Sequence, residues 1–71
     1  MQPYQERVVA EKAELDEKLG KLETFIFRGA GKWFDVLAAE RLRMTKQYCH
    51  MMDYSRVLGE RIAAFTSTRS E

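Results

Sequence analysis

Apolar residues recur along the first third of the chain with a helical step. Val8, Leu15, Leu19, Leu22 and Ile26 fall on one stripe. From Leu15 onward the intervals are four, three and four, which keeps one face of a helix apolar. Lys12 occupies the same stripe, where its stem can lie along a seam with the ammonium at the edge. The opposite face is polar, with Glu11, Glu14, Glu17, Lys18 and Lys21. Glu14–Lys18 and Glu17–Lys21 have the favourable i,i+4 orientation, worth about 0.2–0.5 kcal/mol each. Pro3 suits a first helical turn, where its missing N–H is not needed. The spacing predicts a first helix over about residues 3–26. Gly20 within it costs about 1 kcal/mol relative to Ala and marks a point where another backbone could approach.

The pattern breaks at Arg28-Gly29-Ala30-Gly31-Lys32. Two glycines in three residues end the helix. Trp33 and Phe34 follow at once. A second, longer stripe then runs through Phe34, Leu37, Met44, Tyr48, Met51, Leu58, Ile62 and Phe65. With Arg41 and Ser55 as its polar members, the stripe alternates steps of three and four throughout. That is the 3.5-residue period of a helix packed along a partner. Cys49, Met52 and Val57 widen the apolar face, which implies more than one neighbour. The expected second helix spans about 34–65, with a short extra helix or bend near 33–39. The polar tail, 66–71, is expected to fray.

These elements predict an all-α antiparallel hairpin forming one domain over residues 1–65. At about 1.5 Å per residue, the helices would be roughly 35 and 46 Å long, so the second outruns its only internal partner. The chain has 71 residues. Domains of this size have marginal cores and are commonly stapled by disulfides, a metal or self-association. One cysteine and one histidine supply neither a disulfide nor a plausible zinc set. The staple expected here is a homo-oligomeric helical bundle.

Net charge is +1, which weakens a nucleic-acid reading, since dedicated binders are usually strongly basic. Residues 1–27 hold four bases and six acids, and residues 28–71 hold eight bases and five acids. The Arg41, Arg43 and Lys46 cluster reads as a solvated helix face before it reads as a DNA contact. No apolar run reaches the ~18 residues of a membrane span. No secretory signal pattern opens the chain, and the free cysteine fits the cytoplasm.

Catalytic chemistry finds no constellation. Cys49 and His50 are sequence neighbours, and adjacent side chains on a helix diverge by about 100°. The plain expectation is a buried cysteine beside a boundary histidine. Gly29-Ala30-Gly31-Lys32 lacks the spacing of a phosphate loop and follows no strand. A weaker anion site built from Arg28 and Lys32 around the turn stays open beside a simple interhelical turn. Tyr4 and Arg7 begin the first helix, and Tyr54 and Arg61 lie near the end of the second. An antiparallel hairpin brings these regions to one end, where rings could stack a base and guanidinium groups could pair with phosphate. The competing reading has Tyr54 capping the core and Arg61 paired with a carboxylate such as Glu6. Lys12 joins Tyr4, Arg7, Tyr54 and Arg61 as a candidate ligand-binding residue. No metal or cofactor is expected.

The opening Pro3-Tyr4-Gln5-Glu6-Arg7-Val8-Val9, with Glu11-Lys12, Glu14-Leu15-Asp16, Lys18-Leu19 and Lys21-Leu22, resembles a family of short phage and prophage proteins. Phe34, Leu37, Gln47, Met51, Tyr54, Val57-Leu58 and Arg61-Ile62 extend the resemblance across about residues 3–65. In architecture these chains are similar to the helical-hairpin module of phage anti-CBASS and anti-Thoeris sponge proteins. The resemblance implies a non-enzymatic homo-oligomer, often a hexamer, in the cytoplasm of the infected bacterium. It implies sequestration of an anionic, nucleotide-derived immune signal of the cyclic oligonucleotide or cyclic ADP-ribose type. A protein-interaction module that lays an apolar helix face on a host defence or regulatory protein is the alternative.

Overall fold

The computed structural model describes residues 1–29 and 31–67. Three helices follow one another: α1 Pro3–Arg28, α2 Lys32–Asp35 and α3 Ala38–Ser67. Helices α1 and α3 pack antiparallel, and α2 is a single turn at the closed end. The hairpin is a rod of 52 × 16 × 16 Å. Pro3 stands in the first turn of α1, and the Gln5 side chain accepts the Gln2 backbone N–H at 2.8 Å.

The seam follows the predicted stripes. Among the described residues, Val8 and Leu58 are the buried apolar residues, at 5% and 1% exposure, and Ser55 is the buried polar one. Leu15, Leu19, Leu22, Ile26, Met44, Tyr48, Met51, Ile62 and Phe65 are half-buried along it. A two-helix layer shields each side chain on one flank and leaves the other to water. Of the two i,i+4 pairs read from the sequence, Glu17–Lys21 forms, at 3.4 Å. Both of its side chains are well exposed, so it contributes little.

The second helix starts later than its stripe suggests. Val36 is extended (φ −80°, ψ 139°) between α2 and α3. That one residue breaks the 100° phase, so helical register does not carry from residue 34 to residue 41. Phe34 and Leu37, expected on the seam, are 71% and 80% exposed. Arg41 keeps its seam position and stacks its guanidinium over the Phe34 ring at 5.6 Å. On the other side of the turn, Trp33 meets Phe25 edge to face at 6.0 Å.

Two glycines are positioned by close approach. A Cβ on Gly29 would collide with the carbonyl oxygen of Phe25, so the chain leaves α1 tightly. A Cβ on Gly59 would meet the Lys12 stem at 3.3 Å. Gly20 is different from its sequence reading: nothing lies within 4 Å of the place its Cβ would take, so it admits no other backbone within the chain. The fraying expected of the tail concerns residues that lie beyond the described ones, apart from α3 continuing to Ser67.

Candidate functional site

Three side chains meet across the middle of the hairpin. Lys12 and Asp16 are one turn apart on α1, and their charged groups pair at 2.7 Å. The Lys12 ammonium also donates to the Ser55 hydroxyl of α3 at 3.2 Å, and that hydroxyl donates to the second Asp16 oxygen. Gly59, one turn beyond Ser55, makes room for the lysine stem. The ring of hydrogen bonds accounts for Lys12 of the first stripe and Ser55 of the second, which satisfy each other and Asp16 at the seam. Lys12 is therefore committed to the fold here rather than extended to the end of the rod.

The Lys12 ammonium holds the Asp16 carboxyl below its ordinary value, and the Ser55 hydroxyl adds to the effect. A carboxylate whose value is lowered by folding contributes stability at neutral pH. The contribution is lost as pH falls from the ordinary carboxylate range through the lowered value. Thermal melts from pH 7 to pH 2 should show this directly. The wild-type chain should melt above Asp16→Asn at pH 7, and the gap should close in acid. A gap independent of pH would remove the ionised pair from the account.

At the open end, Tyr4, Gln5, Arg61, Ala64 and Phe65 line a groove of about 280 Å³. The Tyr4 and Phe65 rings meet edge to face at 5.8 Å and form its apolar wall. Arg61 supplies the cation and Gln5 an amide. Such a groove offers a flat ring surface beside a bidentate donor, the combination that holds a planar anionic group.

The sequence-derived residues divide on this geometry. Tyr4 and Arg61 come together. Tyr54 lies two turns before Arg61 on α3, about 10 Å along the axis, and is exposed rather than capping the core. Arg7 is exposed on α1 and is not among the groove's lining residues. Gln5, Ala64 and Phe65 were not candidates. Gln5 follows Tyr4 directly, and Phe65 ends the seam opposite it, so the antiparallel fold itself was the signal.

At the closed end, Ile26, Phe27, Gly29, Trp33 and Phe34 line a second groove of about 350 Å³. Arg28 ends α1 and Lys32 begins α2, and neither lines this groove; Arg28 lines another with Gly20, Glu23, Thr24 and Phe27. Carbonyls of the turn itself accept the backbone N–H groups of Lys32 (from Gly29, 3.1 Å) and Phe34 (from Gly31, 3.1 Å). Two of the donors that an anion would use there are thus already engaged. Phe27 leans on Tyr48, with ring centroids 5.7 Å apart. Tyr48 donates to Glu23 at 3.2 Å, and burial, then the Glu23 charge, push its phenol up. Cys49 is exposed, contrary to the expected burial, and His50 is exposed beside it. Each residue step turns about 100°, which carries both off the seam that Tyr48 occupies.

Among the described residues there is no group of three or more His, Cys, Asp or Glu side chains placed to hold a metal. No described helix is long and apolar enough to cross a membrane. The fold defines a class: a short all-helical hairpin of two long helices joined through a single helical turn, with a ring-lined groove at each end. Residues 2–64 match the sequence model of the Sequestin family, and the chain belongs to that family. Neither the curated proteins nor the solved structures provide a match.

Proposed function

We propose that this chain is a phage-encoded, non-enzymatic anti-defence protein that sequesters a nucleotide-derived immune signal. The signal would be of the cyclic oligonucleotide or cyclic ADP-ribose type. The observation that carries the reading is the family match over residues 2–64, whose name speaks of sequestration. The open-end groove supports it, because Tyr4, Phe65 and Arg61 offer stacking and charge-assisted hydrogen bonds in one place. The reading includes a homo-oligomer in the cytoplasm of the infected bacterium, with the ligand held at subunit interfaces. Binding without turnover suffices, since lowering the free signal blunts the defence.

Calorimetric titration with cyclic di- and trinucleotides and cyclic ADP-ribose isomers tests it. One member of the panel should bind, and Arg61→Ala should weaken it about tenfold, the ~1.4 kcal/mol of one charge-assisted bond. Tyr4→Ala should weaken it similarly by removing the ring surface. Absence of heat and of thermal stabilisation across the panel would overturn the reading. A second reading, inhibition of a host protein through an apolar helix face, is favoured by the exposure of Met52 and Val57 in the single hairpin.

A further inference from the structure

The open-end groove is one-sided in its hydrogen-bonding chemistry. Gln5 lines it, and the Gln5 carboxamide is held at one end. Its Oε1 accepts the Gln2 backbone N–H at 2.8 Å. A backbone N–H can only donate, so the oxygen is fixed on that side and the NH2 is the other end of the amide. The same bond belongs to the capping box of α1, so the start of the helix orients the side chain. The Gln5 NH2 has no hydrogen-bond partner among the described residues. No described carboxylate pairs with Arg61 either. Glu6 and Glu60, next to Gln5 and Arg61 in the chain, do not line the groove.

The free polar side-chain groups of the groove are therefore the Gln5 NH2, the Arg61 guanidinium and the Tyr4 hydroxyl. The first two only donate. The Tyr4 and Phe65 rings supply the apolar wall. Of the residues lining the closed-end groove, only Trp33 carries a polar side-chain atom. The open end is thus the better equipped to read the edge of a base. Its volume of about 280 Å³ is below the roughly 300–1,000 Å³ of a drug-sized site. It suits one base and its phosphate rather than a whole cyclic dinucleotide.

Bases differ in what these donors can satisfy. The guanine edge carrying O6 and N7 presents two acceptors. The matching adenine edge presents N7 beside the N6 amino group, a donor. A glutamine holds adenine by using its oxygen and nitrogen together, and here the oxygen is tied to the helix start. The Gln5 NH2 set against the adenine amino group would leave two donors facing each other. A site built to hydrogen-bond one pattern rejects the pattern that leaves its polar groups unpaired.

We infer that the open-end groove selects a guanine nucleotide over its adenine counterpart, with Gln5 as the specificity-determining residue. The Tyr4 and Phe65 rings take the base, the Gln5 NH2 donates to its acceptor edge, and Arg61 pairs with the phosphate. The inference rests on the sequestering reading above and deepens it by naming the base.

Calorimetric titration of the full chain tests it with two cyclic dinucleotides of identical backbone, one of guanine and one of adenine, and with cyclic ADP-ribose. The guanine ligand should bind about tenfold more tightly than the adenine one, within the range of one well-placed base contact. Gln5→Glu should keep the capping box, since a carboxylate accepts the same Gln2 N–H. Helical circular dichroism checks that fold. The variant replaces the NH2 with an oxygen, so the guanine preference should vanish or invert. Its added negative charge acts on both dinucleotides alike and cancels in the ratio of their affinities. A merely structural role for Gln5 would leave that ratio unchanged. Equal binding of the two bases, a preference for adenine, cyclic ADP-ribose as the sole ligand bound, or an unchanged ratio in Gln5→Glu would overturn the inference and leave the sequestering reading intact. Binding of none of the three would overturn both.

Discussion

Leu58→Ala should cost the hairpin roughly 2–5 kcal/mol, the range for truncating a buried leucine. Leu58 has the least exposed side chain among the described residues, at 1%, and Val8 is its only fully buried apolar companion. It sits one turn from Ser55 and Ile62, between the Lys12–Asp16–Ser55 ring and the open-end groove. Truncation would therefore loosen both. A marginal two-helix core has few other contacts over which to spread the loss. Denaturant unfolding at fixed chain concentration gives the measurement, because self-association would add stability by mass action. A loss below 1 kcal/mol would mean that the core lies between copies rather than within the hairpin.

Gly29→Ala is expected to cost about 1–3 kcal/mol, comparable to forcing an extra methyl into a packed interior. The reason is not a left-handed backbone: Gly29 has φ −76° and ψ 8°. A methyl there would strike the Phe25 carbonyl oxygen, which the chain passes as it leaves α1. Relief requires α2 to swing away, which separates Trp33 from Phe25 and opens the closed-end groove. A fall in melting temperature with a red shift of Trp33 fluorescence should report both effects. Unchanged melting and emission would show that the turn is not anchored at this point.

Much of the rod was legible in the order of residues. The stripes through Val8–Ile26 and Met44–Phe65 mark the seam because the 3.6-residue turn permits few other ways to bury them. The glycines of residues 28–32 mark the turn. The short helix or bend expected near 33–39 is present as α2 and Val36, but the apolar period runs on through Val36, so it does not show that Phe34 and Leu37 leave the seam. Cys49 was misplaced because a stripe adjacent to the seam reads as buried when only two helices are present to cover it. At the open end, Tyr4 and Arg61 could be paired from antiparallel topology. The contacts of Lys12 could not be read in the same way, since its partners Asp16 and Ser55 gain meaning only when the helices face each other.

What the sequence determined by itself is the set of helices, their apolar stripes and the turn between them, all consequences of local periodicity and of glycine. Register was left to tertiary structure. A seven-residue slip of one helix along the other would keep both stripes in contact. The hydrogen bonds among Lys12, Asp16 and Ser55, and the space above Gly59, select one position from these. That selection places Tyr4 beside Arg61 and Phe65.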